Sequence, residues 1–240
     1  MKKIISLGFV LFALFGVCVG GFCQDFDGRI EIYGGFQFGD TTFKYDWPGN
    51  TANAETKLHT DAGVFGLAGV FFFGRVGFAE YANLMFPARQ EYKATLSGQE
   101  RKMELLNNDY AMFGFDNTLA FMVKVVDGEF FKLPVGVGIH FSVFSTNYSE
   151  SISVPGITTK YEMSIIETTF GLGAVAGFEL HVAQHFYFFG RAQFAYDFVG
   201  SSNIEITVTE NGISSKESKK KDGSISSFSI TPFFGFGINF

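Results

Sequence analysis

The segment Phe228–Phe240 alternates strictly between apolar residues and residues that are mostly small or polar, and this pattern constrains the fold most. The apolar set is Phe228, Ile230, Pro232, Phe234, Phe236, Ile238 and Phe240. Alternation with a period of two indicates a β-strand that is apolar on one face. A strand of about ten residues with one wholly apolar face is typical of a tilted strand that crosses a membrane.

The same alternation recurs in seven earlier segments, so we predict eight strands in all. The seven are Arg29–Gly39, Ala62–Phe73, Arg75–Phe86, Ala111–Val123, Phe131–Val143, Ile166–Leu180 and Phe186–Phe198. Ala62–Phe73 is too apolar for its two faces to be assigned. In Arg75–Phe86, Glu80 falls on the outer face, which predicts a bulge or a shift of register at that residue.

The connections between these strands alternate between short and long. Short turns are predicted near Gly74, at Asp127–Gly128 and at Ala183–Gln184, and Asp-Gly is a strong hairpin signal. The long connections are predicted as loops over Asp40–Thr60, Pro87–Asp109, Ser145–Met163 and Gly200–Ser226. Pro155-Gly156 and Asn211-Gly212 lie inside two of them and predict hairpins that extend the sheet beyond the membrane.

These features predict an all-β fold, an eight-stranded antiparallel up-and-down transmembrane β-barrel with short periplasmic turns and long extracellular loops. The composition agrees, because the 240 residues include 33 Phe and 29 Gly at a mean hydropathy of only +0.18. After the N-terminal segment, no run of about 18 apolar residues could form a membrane helix. The net charge of −6 argues against nucleic-acid binding, which needs a clustered basic face.

The N-terminal residues have the features of a Sec signal peptide. Lys2 and Lys3 precede the apolar run Ile4–Val19, and small residues follow. We predict a signal peptide over residues 1–23, cleaved after Cys23, and a single barrel domain over residues 24–240. An uncleaved anchor and a lipid-modified Cys23 remain alternatives, although Phe22 is larger than the residue that usually precedes an acylated cysteine.

The signal peptide, the eight amphipathic strands and the terminal segment Gly235–Phe240 together resemble the small eight-stranded outer-membrane proteins typified by the OmpA membrane domain, OmpX and OmpW. Leu133–Phe141 and the hairpin around Gly177–Leu180 also resemble segments of these proteins. The resemblance implies export by Sec to the bacterial cell outer membrane and contact with outer-membrane lipid. It also implies that the barrel-assembly machinery recognises Phe240 as an assembly signal. We expect a monomer.

Charged residues of both signs fall on the predicted lumen faces. They are Arg29, Glu31, Asp116, Lys132, Glu167, Glu179, Arg191 and Asp197. The interior of an eight-stranded barrel is only wide enough for side chains, and buried charges must be paired. We therefore predict a lumen plugged by ion pairs, in which Arg191 contacts Asp116, Glu167 or Asp197.

Because a plugged lumen cannot serve as a channel, we predict that the surface-exposed loops carry the function, which would be binding, adhesion or envelope structure. Lys216, Lys219, Lys220 and Lys221 are candidates for contact with an anionic lipopolymer or a host or extracellular ligand. The plainer interpretation of these lysines is a solvated loop tip. A rival function is an OmpW-like narrow channel for small hydrophobic molecules, which would need an apolar upper lumen.

A lipid hydrolase is a further alternative. His140-Phe141-Ser142 with Glu167 has the spacing of a general base, a nucleophile and a carboxylate in barrel deacylases. The alternation places His140 and Ser142 in the lumen, and Val143 stands where the deacylase pattern has Asn. We therefore predict that the protein is not an enzyme, and that its scattered histidines form no metal site and bind no cofactor.

Overall fold

The computed structural model describes residues 26–46, 53–96, 99–106, 112–154, 157–210, 213–221 and 224–240. These residues form ten strands: β1 (Phe26–Asp46), β2 (Asn53–Phe73), β3 (Val76–Leu96), β4 (Gln99–Leu106), β5 (Met112–Asp127), β6 (Phe131–Val154), β7 (Ile157–Ala183), β8 (Phe186–Glu210), β9 (Ile213–Lys221) and β10 (Ser224–Asn239). Within this part of the chain, no helix is long and apolar enough to cross a membrane. The predicted signal peptide and the pairs Pro155-Gly156 and Asn211-Gly212 lie outside the described residues.

Eight of the ten strands form a closed antiparallel ring. The order is β1, β2, β3, β5, β6, β7, β8 and β10, and β10 pairs with both β8 and β1. At the seam, Ile30 pairs with Ile238, and on the other side of β10, Pro232 pairs with Ala192. The predicted eight-stranded barrel is therefore confirmed.

The outer surface of the ring is a belt of exposed apolar side chains. Phe36 and Phe234 are each 65% exposed, and Leu172 is 59% exposed. These residues belong to the outer faces that the alternation predicts. A surface this apolar is not stable in water, whereas a closed sheet satisfies its own backbone groups and can lie in lipid.

The two ends of the barrel differ in how the strands are connected. At one end, here called the turn end, short turns join the strands at Gly74–Arg75, at residues 128–130 and at Gln184–His185. Gly74 has a φ of 63°, a left-handed conformation that glycine adopts without steric cost. The predicted positions of the short turns agree with these.

At the other end, here called the hairpin end, the strands continue as paired ribbons. β6 and β7 pair up to Val154 and Ile157, β8 pairs with β9 beyond the ring, and β3 pairs with β4. The segments predicted as long loops are therefore largely paired strand. The sheet therefore extends beyond the ring at this end, and the side of the membrane on which this end lies stays a prediction.

The predicted irregularity at Glu80 is wrong. Glu80 lies in a regular ladder between Gly69 and Leu119 and accepts a hydrogen bond of 3.0 Å from Nδ2 of Asn117 on the outer face. Because Asn117 hydrogen-bonds to the carboxylate of Glu80, this residue can face outward without a bulge or a register shift. The register of β2 and β3 instead shifts between Asp61 and Ala62, opposite Pro87, which has no N–H to donate to the ladder.

Candidate functional site in the barrel lumen

The turn-end half of the lumen is filled by a network of buried ion pairs and rings, here called the plug. Its charged and tyrosine members are Asp27, Arg29, Glu31, Tyr81, Lys124, Glu179, Tyr187 and Arg191. The period of two in each strand directs these side chains inward, and the narrow ring forces them into mutual contact.

Arg191 on β8 lies at the centre of the plug. Its Nη2 donates to Glu31 Oε1 at 2.7 Å and to Glu179 Oε1 at 2.6 Å. Its Nη1 donates to the other oxygen of Glu31 and to the hydroxyl of Tyr81 at 2.8 Å. Tyr187 donates its own hydroxyl proton to Glu31 at 2.6 Å. The two Nη atoms of Arg191 and both oxygens of Glu31 therefore have charge-assisted hydrogen bonds, whereas Nε of Arg191 is buried without a partner among the described residues.

The predicted partners of Arg191 are wrong. Asp116 and Asp197 lie nearer the hairpin end, in a separate layer, and Glu167 lies beyond them. Asp197 is six residues from Arg191 on the same strand, which is about 20 Å along an extended chain. Alternation assigns a residue to the inner face but does not assign its height relative to residues on other strands.

A second arginine links this cluster to the rim of the barrel. Arg29 donates from Nη1 to Glu179 at 2.5 Å and from Nε to Asp27 at 2.8 Å. Lys124 donates to Asp27 at 3.0 Å, and Lys132 lies 4.0 Å from the same carboxylate. Sequence analysis missed Asp27 and Lys124 because each lies just outside a predicted strand.

Aromatic rings close the plug above the ion pairs. The rings of Tyr33 and Phe233 have centroids 4.4 Å apart, and Phe189 packs against both. Gly66 permits this arrangement, because a Cβ at that position would lie 2.1 Å from the ring of Tyr33. Sequence analysis did not predict a role for these rings. Their positions alternate with outward-facing residues, and this pattern could have placed them in the lumen.

A layer of amide and carboxyl groups lies on the hairpin side of these rings. Asn83 accepts from the Tyr33 hydroxyl and donates to Asp116, each at 2.7 Å. Asp116 also accepts from Gln37 at 3.1 Å, and Gln193 contacts the same group of side chains. All of these residues are buried, and they form a polar layer between the rings and the hairpin end of the lumen.

His140 marks the boundary between this layer and the open end. Its Nδ1 lies 2.8 Å from Oδ1 of Asp197, and the Thr169 hydroxyl donates to the other oxygen of Asp197 at 2.5 Å. The Nε2 atom of His140 is buried without a hydrogen bond, 3.9 Å from Asp116. His140 is only 2% exposed and faces the lumen, away from the lipid.

Beyond His140 the lumen opens into a cavity of about 50 Å³, here called the vestibule. Its lining residues are mostly small and polar: Gln37, Gly39, Thr41, Leu58, Thr60, Met85, His140, Ser142, Phe144, Glu167, Thr169, Asp197, Ser227 and Ser229. His140, Ser142 and Glu167 are therefore brought to one cavity. In the described part of the chain, no group of three His, Cys, Asp or Glu side chains is arranged to hold a metal ion.

The remaining predicted site residues lie at the two ends. Lys216 is exposed on β9, with its Nζ 2.7 Å from Oε1 of Glu205 on β8. Lys219, Lys220 and Lys221 follow on the same strand, which is part of a paired ribbon and not a loose loop tip. Phe240 lies at the turn end, 64% exposed, and its N–H donates to the carbonyl of Gly28 at 3.0 Å. Its part in assembly stays a prediction.

The closed antiparallel ring, its apolar exterior and its polar interior define a transmembrane β-barrel of the outer-membrane type. A scan against protein-family models gives no match, and a search of curated proteins finds none similar.

Solved structures with a similar arrangement include three outer-membrane proteins. The outer membrane protease OmpT of Escherichia coli is 8% identical, with 89% of this chain and 97% of that chain covered and a TM-score of 0.44. Ail, the attachment invasion locus protein of Yersinia pestis, is 11% identical, with 89% and 99% covered and a TM-score of 0.37. A major outer membrane protein of Thermus thermophilus is 12% identical, with 86% and 99% covered and a TM-score of 0.40. Because these identities and TM-scores are low, the assignment of the fold depends on the strand pairing described above and not on these similarities.

Proposed function

We propose that this protein is a bacterial outer-membrane barrel that forms no open pore and acts through the ribbons at its hairpin end, in binding, adhesion or envelope structure. The plug is the observation that carries this proposal. Arg191 forms buried ion pairs with Glu31 and Glu179 inside the ring, and the rings of Tyr33 and Phe233 lie beside them. Moving these groups aside would leave buried charges without partners, which is costly.

The alternative of a narrow channel for small hydrophobic molecules has less support. Such a channel would need an apolar entrance, whereas most residues that line the vestibule are polar. The hydrolase alternative also has less support, since His140 faces the lumen and Asp197 already engages its ring. Neither alternative uses the ribbons that extend beyond the ring.

The proposed orientation places the turn end in the periplasm and the hairpin end outside the cell. Long outer connections and short periplasmic turns are the general arrangement of such barrels. The Ser- and Thr-rich ribbons, with the β9 segment that contains Lys216 and Lys219–Lys221, then lie outside the cell. An anionic lipopolymer or a host ligand is the partner class that these lysines would attract.

Planar-bilayer recording of the refolded protein tests the closed lumen. We expect no steady conductance, because the plug leaves no water-filled path. The variant Arg191→Ala, if it is still inserted, should show transient openings that the unmutated protein lacks. A steady, large conductance of the unmutated protein would refute the plugged barrel.

Trypsin digestion tests the orientation and the part played by the β9 ribbon. Trypsin added to intact cells should cut first near Lys216–Lys221 and leave a membrane-embedded core. Cleavage there only after lysis would contradict the proposed orientation. Replacing Ser201–Ser224 by a short turn should abolish surface binding, with Lys216→Ala as a milder companion variant. Retention of every binding activity by the trimmed protein would exclude the ribbon as the site.

A further inference from the structure

We propose that the vestibule is a binding site for a small organic cation, with Glu167 as the group that holds its ammonium. This site is distinct from the ribbons and would serve a soluble ligand that enters from the hairpin end. The environment of Glu167 differs from that of every plug carboxylate described above.

Glu167 is a buried carboxyl group without a partner. It is 9% exposed, lines the vestibule, and makes no hydrogen bond or ion pair with any of the described residues. The neighbouring Asp197 is already engaged by His140 and Thr169. A buried charge without a partner is costly, and a ligand that supplies the opposite charge removes that cost.

The walls of the vestibule favour a positive ligand. No lysine or arginine lies among the residues that line it in the described structure. The ionisable lining groups are the carboxyls of Glu167 and Asp197 and the imidazole of His140. Since Asp197 is already engaged by His140 and Thr169, Glu167 is the lining carboxyl that remains to attract a positive ligand.

The rest of the lining favours an organic cation over a metal ion. Leu58, Met85 and Phe144 provide apolar surface for a short alkyl chain, and an aromatic ring also attracts an ammonium group. A hard divalent cation requires several oxygen ligands, usually including more than one carboxylate. The described residues hold no group of three metal-ligating side chains. The cavity of about 50 Å³, open toward the hairpin end, has room for a ligand of only a few heavy atoms.

The test is a titration of the refolded full chain in nonionic detergent with n-butylammonium chloride, followed by methionine-methyl NMR. Met85 lines the vestibule, whereas Met122 lies in the buried cluster of the plug and serves as an internal reference. We expect a saturable shift of the Met85 signal only. Glu167→Gln should weaken binding at least about tenfold, because it removes the charge that the ammonium contacts.

Matched controls separate the site from general electrostatics. Glu162→Gln removes the same charge from the same strand, but Glu162 is exposed and pairs with Lys160 at 2.6 Å. It should leave butylammonium binding unchanged. Ser229→Phe should block binding by filling the cavity while Glu167 is retained, which covers the case in which Glu167→Gln does not fold.

Several results would overturn the proposal. These are the absence of a saturable shift, an equal response to 1-butanol, an equal loss of binding in Glu162→Gln, or normal binding by folded Ser229→Phe. A magnesium chloride titration that depends on Glu167 and excludes butylammonium would assign the site to a metal ion instead. The conductance of the barrel does not enter this test, so its outcome is independent of the proposed function.

Discussion

Glu179 and Glu167 lie on the same strand, face the same lumen and are both buried, yet their surroundings are opposite. Glu179 accepts hydrogen bonds from two arginines in the plug, whereas Glu167 has no partner among the described residues and borders a cavity. The comparison shows that alternation identifies inner-face residues but not their roles. Position along the barrel axis distinguishes Glu179, which has two arginine partners, from Glu167, which has none among the described residues.

The largest expected effect comes from breaking the centre of the plug. Arg191→Ala leaves Glu31 and Glu179 buried with fewer partners, at a cost of roughly 3–5 kcal/mol in the free energy of unfolding. Urea titration of the protein in lipid vesicles measures it. Arg75→Ala is the control, since Arg75 is exposed in a turn and should change stability by less than about 0.5 kcal/mol. Similar losses for both variants would mean that the plug contributes little.

A matched pair on β7 sharpens the contrast between the two regions. Glu179→Gln removes a charge that two arginines contact and should cost about 3 kcal/mol. Glu167→Gln removes a buried carboxyl group that has no partner among the described residues, so the free energy of unfolding should stay the same or rise by about 1 kcal/mol. The same urea titration distinguishes them. A comparable loss in Glu167→Gln would show that Glu167 has a stabilising partner.

A substitution that disturbs the packing around the Tyr33 ring should lower the free energy of unfolding less than one that breaks the ion pairs of the plug. Gly66→Ala places a Cβ against the ring of Tyr33 and should cost roughly 1–3 kcal/mol. On the same strand, a Cβ at Gly63 would lie 3.8 Å from its nearest contact, the carbonyl oxygen of Phe86. Gly63→Ala should therefore be nearly neutral in the same thermal or urea unfolding assay. If the two variants unfold alike, the close contact with Tyr33 is not a constraint.

The smallest effect is expected at the hairpin end. Lys216 and Glu205 form an exposed ion pair on the β8–β9 ribbon, and such pairs contribute about 0–1 kcal/mol. Lys216→Ala should leave the unfolding midpoint of the barrel almost unchanged. A double-mutant cycle with Glu205→Ala measures the pair directly. A coupling of several kcal/mol would mean that the ribbon is part of the stability core.

The fold was largely predictable from the sequence, because alternation depends only on neighbours along the chain. Phe36 and Phe234 face outward as predicted, and the ring closes with eight strands. The partners of Arg191 were not predictable, since they depend on the stagger between distant strands. The regular position of Glu80 was not predictable either, because its partner Asn117 lies on another strand. The pattern of residues along one strand contains no information on the contacts of Arg191 or on the hydrogen bond between Asn117 and Glu80.

The seam between β1 and β10 has a consequence for how the protein is made. The first strand of the ring pairs with the last, so a chain still lacking β10 carries two strands with unpaired edges. Open edges beside apolar faces are templates for aggregation. Contacts so distant in sequence also form slowly. The early strands must therefore be shielded after synthesis until β10 pairs with β1. The chain is most prone to aggregation in the interval before the ring closes.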